Sequence, residues 1–252
     1  MDSIKYGLQL YSVREELKDD LVGVLRKISL LGYHGVEFYG EKPASGKKLK
    51  NLLKEFKLEC CGWHYWGDPF KLKEETFLKE TVELYQQVGN KYLIISSLPE
   101  KYRDSAEGWQ QAAELLNELG EKLAEYNIRV GYHNHDFEFK AIQGKTPWDI
   151  LLEGTDPGII MQLDTGNAFK GGADLLQVME KNAARAETIH LKPYSRQEGF
   201  KTMIGEDDTP WEEIINSCQK AGKTDWYIVE YETDLYPPLE GVRKCLQQLK
   251  KI

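Results

Sequence analysis

The stretch "IKYGLQLYSVRE" (residues 4–15) decides between two architectures. An apolar run ends near Gln9 and Leu10 and passes into a helical period, and "LQLYSVRE" (8–15) contains no glycine. An open doubly wound sheet that binds nucleotides normally carries a glycine-rich turn at this point, where backbone must approach a pyrophosphate. Its absence turns the reading toward the other arrangement that a strand followed by a helix can start.

Downstream the same unit recurs. Strand patterns rich in β-branched and aromatic residues fall at 4–10, 35–39, 58–64, 91–97, 128–133, 158–164, 187–191 and 226–232. Between them lie amphipathic periods such as "FLKETVELYQQVG" and "WQQAAELLNELGEKLAEYN". Several close on Gly32, Gly89, Asn127 or Gly222, residues that tolerate a left-handed helix cap. Eight βα units in 252 residues predict one α/β domain over 1–252, a parallel eight-stranded (β/α)8 TIM barrel.

Charge and composition narrow the function. The chain has 33 basic and 41 acidic residues, a net charge of −8, which argues against a nucleic-acid partner bound through its phosphates. No charged flank precedes an apolar core at the N-terminus, and apolar runs such as "YLII" are too short to span a bilayer. Cys60, Cys61, Cys218 and Cys245 form no disulfide framework and read as reduced thiols. The expectation is a cytoplasmic protein with no membrane partner. Apolar residues in "PPLEGVRKCLQQLKKI" (237–252) are read as an exposed stretch suited to homo-oligomer contact. "GKT" at 144–146 and 222–224 lacks the upstream glycine of a phosphate loop, so no phosphate site is visible.

In a barrel, chemistry sits at the C-terminal ends of the strands. Those ends read Gln9, Glu37, His64, Ser96, His133, Asp164, His190 and Glu230. A ring of polar groups above apolar runs is costly unless its members are paired or bound to metal. His133, Asp164, His190 and Glu230 are divalent-cation ligands by type, and the imidazole–carboxylate mixture suits Mn, Zn, Co or Fe better than Ca or Mg. A hydrogen-bonded ring without metal is the alternative.

The chain resembles the sugar phosphate isomerase/epimerase superfamily of xylose-isomerase-like barrels. "GLQLYSVREEL" (7–17), "GYHGVEF" (32–38), "GYHNHDFEF" (131–139), "QLDTGN" (162–167), "IHLK" (189–192) and "IVEYE" (228–232) carry the resemblance. It implies one divalent ion held by strands five to eight, usually through Glu, Asp, His and Glu. Asp164, His190 and Glu230 match. His133 departs, standing where many isomerases and epimerases place a glutamate, and is similar instead to the ketoinositol dehydratase branch. In the epimerases the two ligand glutamates, here only Glu230, are implied to trade protons.

By the same register His133 points inward, Asn134 away, and His135 back toward the barrel mouth. Glu138 stands where related enzymes have a substrate-binding acid; a surface acid is the alternative. An ion chelated by a ketone and its neighbouring hydroxyl acidifies the proton between them and stabilises an enediolate. Candidate acids and bases are His135, Glu138, Glu37, His64 and Lys192, with Lys192 equally readable as an ion pair. Gln9, Glu37, His64, Trp66 and Phe169 are expected to bind substrate, aromatic faces suiting a sugar or polyol.

The expected function is therefore a metal-dependent isomerase or epimerase of a sugar or keto-sugar. A lyase or dehydratase is the alternative that His133 favours, and a non-catalytic sugar-binding barrel is a third class. The endonuclease branch of the superfamily is implied to need about five ligand histidines, and this chain has five in all.

Overall fold

The computed structural model describes residues 4–252, so the first three residues of the expected domain and N-terminus lie outside it. Eight strands form one parallel sheet: β1 Tyr6–Gln9, β2 Gly35–Tyr39, β3 Glu59–Tyr65, β4 Tyr92–Ile95, β5 Arg129–His133, β6 Ile160–Gln162, β7 Thr188–Leu191 and β8 Trp226–Val229. Their order is β6-β5-β4-β3-β2-β1-β8-β7. The two ends meet through a parallel bridge between Asp164 and His190, where the His190 amide donates to the Leu163 carbonyl at 2.8 Å. The barrel thus closes at two residues expected to be metal ligands.

Each strand is followed by a helix that covers the outside: Leu21–Leu31, Gly46–Phe56, Glu75–Val88, Ala106–Ala124, Pro147–Gly154, Leu175–Asn182, Trp211–Ala221 and Pro238–Leu249. Gly32 and Asn127 take the left-handed conformation at φ 93° and 57°, as the capping pattern predicts. The last helix departs from expectation. Val242, Cys245, Leu246 and Leu249 are buried in the core between barrel and helices, so its apolar stripe packs inward and is not an exposed contact face. Among the described residues no helix is long and apolar enough to cross a membrane.

Period-two alternation sorts the strand residues into layers. Inside the barrel, Cys61, Tyr92, Ile94, Ile160, Trp226 and Ile228 make an apolar cluster of their own. Gly131 is needed there, because a Cβ would stand 2.8 Å from both Ile160 and Ile94. One step toward the strand ends, the same inward parity yields Gln9, Glu37, His133, Gln162, His190 and Glu230.

β3 reaches this layer by an irregularity. Its pairing with β2 shifts register between Val36 and Glu37, so that Cys60 opposes Val36 but Gly62 opposes Glu37. The extra residue re-aims the strand, as β-bulges beside sites do. His64 then turns inward, while Trp63 turns outward to stack on Phe38 and Tyr85 at 4.7 and 5.6 Å.

Candidate metal centre and active-site cavity

At the top of the inner barrel one ligand atom from each of His133, Asp164, His190 and Glu230 lies within 4.8 Å of the others, and all four residues are buried. β5 and β7 supply one each, and the segments just after β6 and β8 supply the other two. Asp164 divides its two oxygens. Oδ1 accepts from the Asn167 amide at 2.6 Å and caps the helix Thr165–Lys170. Oδ2 is buried without a hydrogen-bond partner, 4.0 Å from His190 Nδ1. A buried carboxylate oxygen left bare is expensive, and burial, against the pull of Lys192, raises this carboxyl to about 7.

Gln162 orients the two other imidazoles of the layer. Its Oε1 lies 2.8 Å from His64 Nε2 and 2.9 Å from His133 Nδ1. Its Nε2 donates to Glu37 Oε1 and Thr188 Oγ1, both at 2.9 Å. An amide oxygen can only accept, so each of those ring nitrogens carries its proton. That leaves His133 Nε2 with a free lone pair. Burial, foremost, keeps His133 neutral by holding its pKa well below the usual value.

His190 sits between two carboxylates, with Nε2 2.6 Å from Glu37 and Nδ1 2.5 Å from Glu230. Burial opposes its charge, but Glu37 and Glu230 outweigh it and raise the ring to about 10. Burial would likewise raise Glu37, yet His64 and His190 hold it at about 2. The residues therefore fit a divalent ion: a bare Asp164 oxygen, a free His133 nitrogen, and an Nδ1 proton on His190 that a cation would replace. Glu37 would keep the opposite proton of His190, as partners of ligand histidines do.

Above the cluster opens a cavity of about 480 Å³, within the usual range for small-molecule sites. Gln9, His64, His133, His135, Trp66, Lys192 and Glu230 line it. Lys192 is buried, with Nζ 3.1 Å from Glu230 Oε1 and a second bond to Glu232. Burial would lower the pKa of Lys192, but Glu230, Asp164 and Glu232 push it up, so the ammonium persists.

Three sequence candidates are placed elsewhere. Glu37 does not line the cavity and braces the imidazoles beneath it. Glu138 lies behind His135, accepting from Tyr132 Oη at 2.6 Å and from the His135 amide at 2.8 Å. The short turn Phe137–Phe139 folds that carboxylate back into the protein. Phe169 packs on Tyr194 at 5.6 Å, under the Arg196 guanidinium, outside the cavity lining.

The sequence reading missed Gln162 and Glu232, each two residues from a recognised ligand and on its parity. It also missed Arg103, Tyr11 and Tyr39 in the cavity wall. Tyr11, Tyr39 and Trp66 stand within 5.0–5.4 Å of one another, an aromatic rim for an apolar ring face.

A closed (β/α)8 barrel with a cluster of two histidines, an aspartate and a glutamate under an open cavity defines the class. The chain belongs to the xylose isomerase-like TIM barrel family, whose model matches residues 25–252. Inosose dehydratases of Clostridium tetani and Geobacillus thermodenitrificans are 25% and 26% identical. Their alignments cover 83% and 90% of this chain and 81% and 88% of theirs. A solved sugar phosphate isomerase/epimerase from Parabacteroides distasonis superposes with a TM-score of 0.86 at 24% identity, over 99% of this chain and 95% of that one. Relatives of this kind support an enzyme.

Proposed function

We propose that the protein is a divalent-metal-dependent lyase that removes water from a keto-polyol or keto-sugar, beginning with loss of the proton beside the carbonyl. The observation that carries this reading is the donor set. With His133 in place of a carboxylate and Glu230 held between His190 and Lys192, no two ligand carboxylates are free to exchange protons across a substrate.

A divalent cation held by His133, Asp164, His190 and Glu230 would supply Lewis-acid polarisation of a carbonyl and its neighbouring hydroxyl. The protein's own groups do the rest. Glu230 and Glu232 are the carboxylates in the cavity wall. Burial, and then the charge of Glu230, raise Glu232 above the ordinary carboxyl range, which makes it the better base. Lys192, beside it, offers its ammonium to the departing hydroxyl. His135, kept neutral by burial at about 4, orients a substrate hydroxyl. The inosose dehydratase relatives support the elimination outcome.

Isomerisation is the second reading, favoured by the closeness of Lys192 to Glu232: the same pair can return the proton to the adjacent carbon. One assay separates them. Protein loaded in turn with Mn, Zn, Co or Fe is incubated with scyllo-inosose or D-fructose in D2O. NMR follows exchange of the α-proton, and ultraviolet absorbance follows the conjugated ketone. Exchange with absorbance is expected; exchange alone gives the isomerase, and no exchange with any metal leaves a sugar-binding barrel.

A further inference from the structure

Arg103 stands between β4 and the helix Ala106–Ala124 and reaches the wall of the cavity beside Ser96, Ser97 and Leu98. Its guanidinium carbon lies 5.2 Å from the centre of the Phe137 ring. Phe137 is parallel to His135, with centroids 5.6 Å apart and planes at 5°. His135 meets His133 edge-on at 5.6 Å. A row of packed planes thus runs from a cation ligand outward to a positive charge.

Two other arginines direct the guanidinium to oxygen partners. Arg129 pairs with Glu187 at 2.6 Å, and Arg185 donates to the Leu152 and Ile159 carbonyls at 2.8–2.9 Å. No such partner meets the Arg103 guanidinium among the described residues, and its Nε is buried with no hydrogen bond. The stack on Phe137 holds the planar group by a cation–π contact and leaves its donor edge free. Lys192, the other cation in the wall, already donates to Glu230 and Glu232, and its remaining N–H is the one assigned to the departing hydroxyl. The nearby hydroxyls are also available: Ser97 is exposed, and Ser96 Oγ has only a 3.4 Å contact with the Tyr65 carbonyl.

We propose that Arg103, with Ser96 and Ser97, forms an oxyanion subsite that selects a keto-polyol carrying a carboxylate or phosphate at the end remote from the reacting carbon. A guanidinium fork matches either group through two parallel N–H donors. The subsite rests on the cavity's being the keto-polyol site, and it adds a charge requirement that this reading does not contain. In a protein of net charge −8, one uncommitted arginine in the wall provides local attraction that the surface as a whole does not.

The test is calorimetric binding to the metal-loaded protein, with D-fructose, D-fructose 6-phosphate, 5-keto-D-gluconate and scyllo-inosose as probes. The phosphate or the carboxylate compound is expected to bind about tenfold to a hundredfold tighter than D-fructose, the range for a charge-assisted pair. The preferred one identifies the anion. Arg103→Gln is expected to erase that preference and leave D-fructose and scyllo-inosose within about twofold, whereas Arg103→Lys, keeping the charge, retains most of it. Equal affinity for charged and neutral probes, or a loss in Arg103→Gln that falls on all four alike, overturns the subsite. Because the readout is binding, the subsite stands if the anion preference is present and no α-proton exchanges. Conversely, exchange with conjugated-ketone absorbance on scyllo-inosose and no anion preference sinks the subsite and keeps the lyase.

Discussion

Two neighbouring layers of the barrel interior differ in everything except their parity. In the lower one, Cys61, Ile94, Ile160 and Ile228 fill space with apolar atoms and are essentially inaccessible to water. In the upper one, Glu37, His133, Gln162 and His190 lie in equally dry surroundings, and along β6 a step of two residues leads from Ile160 straight to Gln162. Burying an isoleucine contributes roughly 1.5–3 kcal/mol; burying a carboxylate costs several unless it is paired. The upper layer therefore reduces its own cost through a network in which Gln162, Glu37 and His190 satisfy one another. It leaves Asp164 Oδ2 and His133 Nε2 uncompensated at the place where a cation would lie. Stability resides in the lower layer and ligand chemistry in the upper one, and substitutions should separate the two.

The largest effect is expected at Asp164. Wild-type protein should carry about one equivalent of Mn, Zn, Co or Fe by elemental analysis, and Asp164→Ala should lose it. α-Proton exchange should fall on the order of a hundredfold to a thousandfold, the scale seen when one preorganised electrostatic group is removed. Asp164→Asn sharpens the comparison. It keeps an oxygen for the Asn167 amide and removes the unpartnered charge. In EDTA at pH 8 its melting temperature should equal or exceed that of wild type, and a clear decrease would show that the charge is compensated in some other way. Ile160→Ala is the converse. It should cost about 2–5 kcal/mol in denaturant unfolding and leave metal stoichiometry unchanged in the folded fraction.

Glu138 tests a buried carboxylate outside the ligand network. Burial, against hydrogen bonds from Tyr132 and from backbone amides, raises it from 4.5 to about 7. The folded state thus binds its proton more tightly than the unfolded chain does. This stabilisation is complete below the unfolded pKa, is lost as pH rises from about 4.5 to 7, and is flat above. The difference in unfolding free energy between wild type and Glu138→Gln should change by about 3 kcal/mol across that window, at 1.36 kcal/mol per pKa unit. A pH-independent difference would mean that folding leaves this carboxyl's pKa unmoved, its two donors offsetting burial.

The strand-end residues were legible in the sequence because the barrel converts chain order into a ring and parity into direction. That logic located His133, Asp164, His190 and Glu230 together, and the cluster forms. It did not extend to Gln162, a neutral amide inside an apolar run, whose role exists only because two imidazoles and a carboxylate converge on it. His64 turns inward through the register shift in β3, and a run such as "LECCGWH" gives no sign of which residue is extra. Glu138 and Phe169 follow strands that are read correctly, but their directions are set by short turns whose course depends on packing against Tyr132 and Tyr194. The apolar residues of the last helix were visible and their side was not, because an amphipathic stripe does not declare whether it meets the core or a second subunit.

The smallest expected effect, at Gln162, bears most directly on how the two layers are joined. Gln162→Leu keeps the volume roughly constant and extends the apolar layer upward by one residue. His133 Nδ1 loses its acceptor, and Glu37 Oε1 and Thr188 Oγ1 lose a donor. Leaving buried polar atoms without partners costs about 1–3 kcal/mol each, partly offset by the apolar replacement, so a net loss of about 1–2 kcal/mol is expected. Metal affinity should fall by about tenfold to a hundredfold, as when a group orienting a ligand histidine is removed. The direction of the two changes is informative. If stability falls and metal affinity does not, His133 is held by packing alone and Gln162 is only a structural bridge. If affinity falls with little loss of stability, the amide fixes the tautomer that presents His133 Nε2, and the upper layer is organised around the cation.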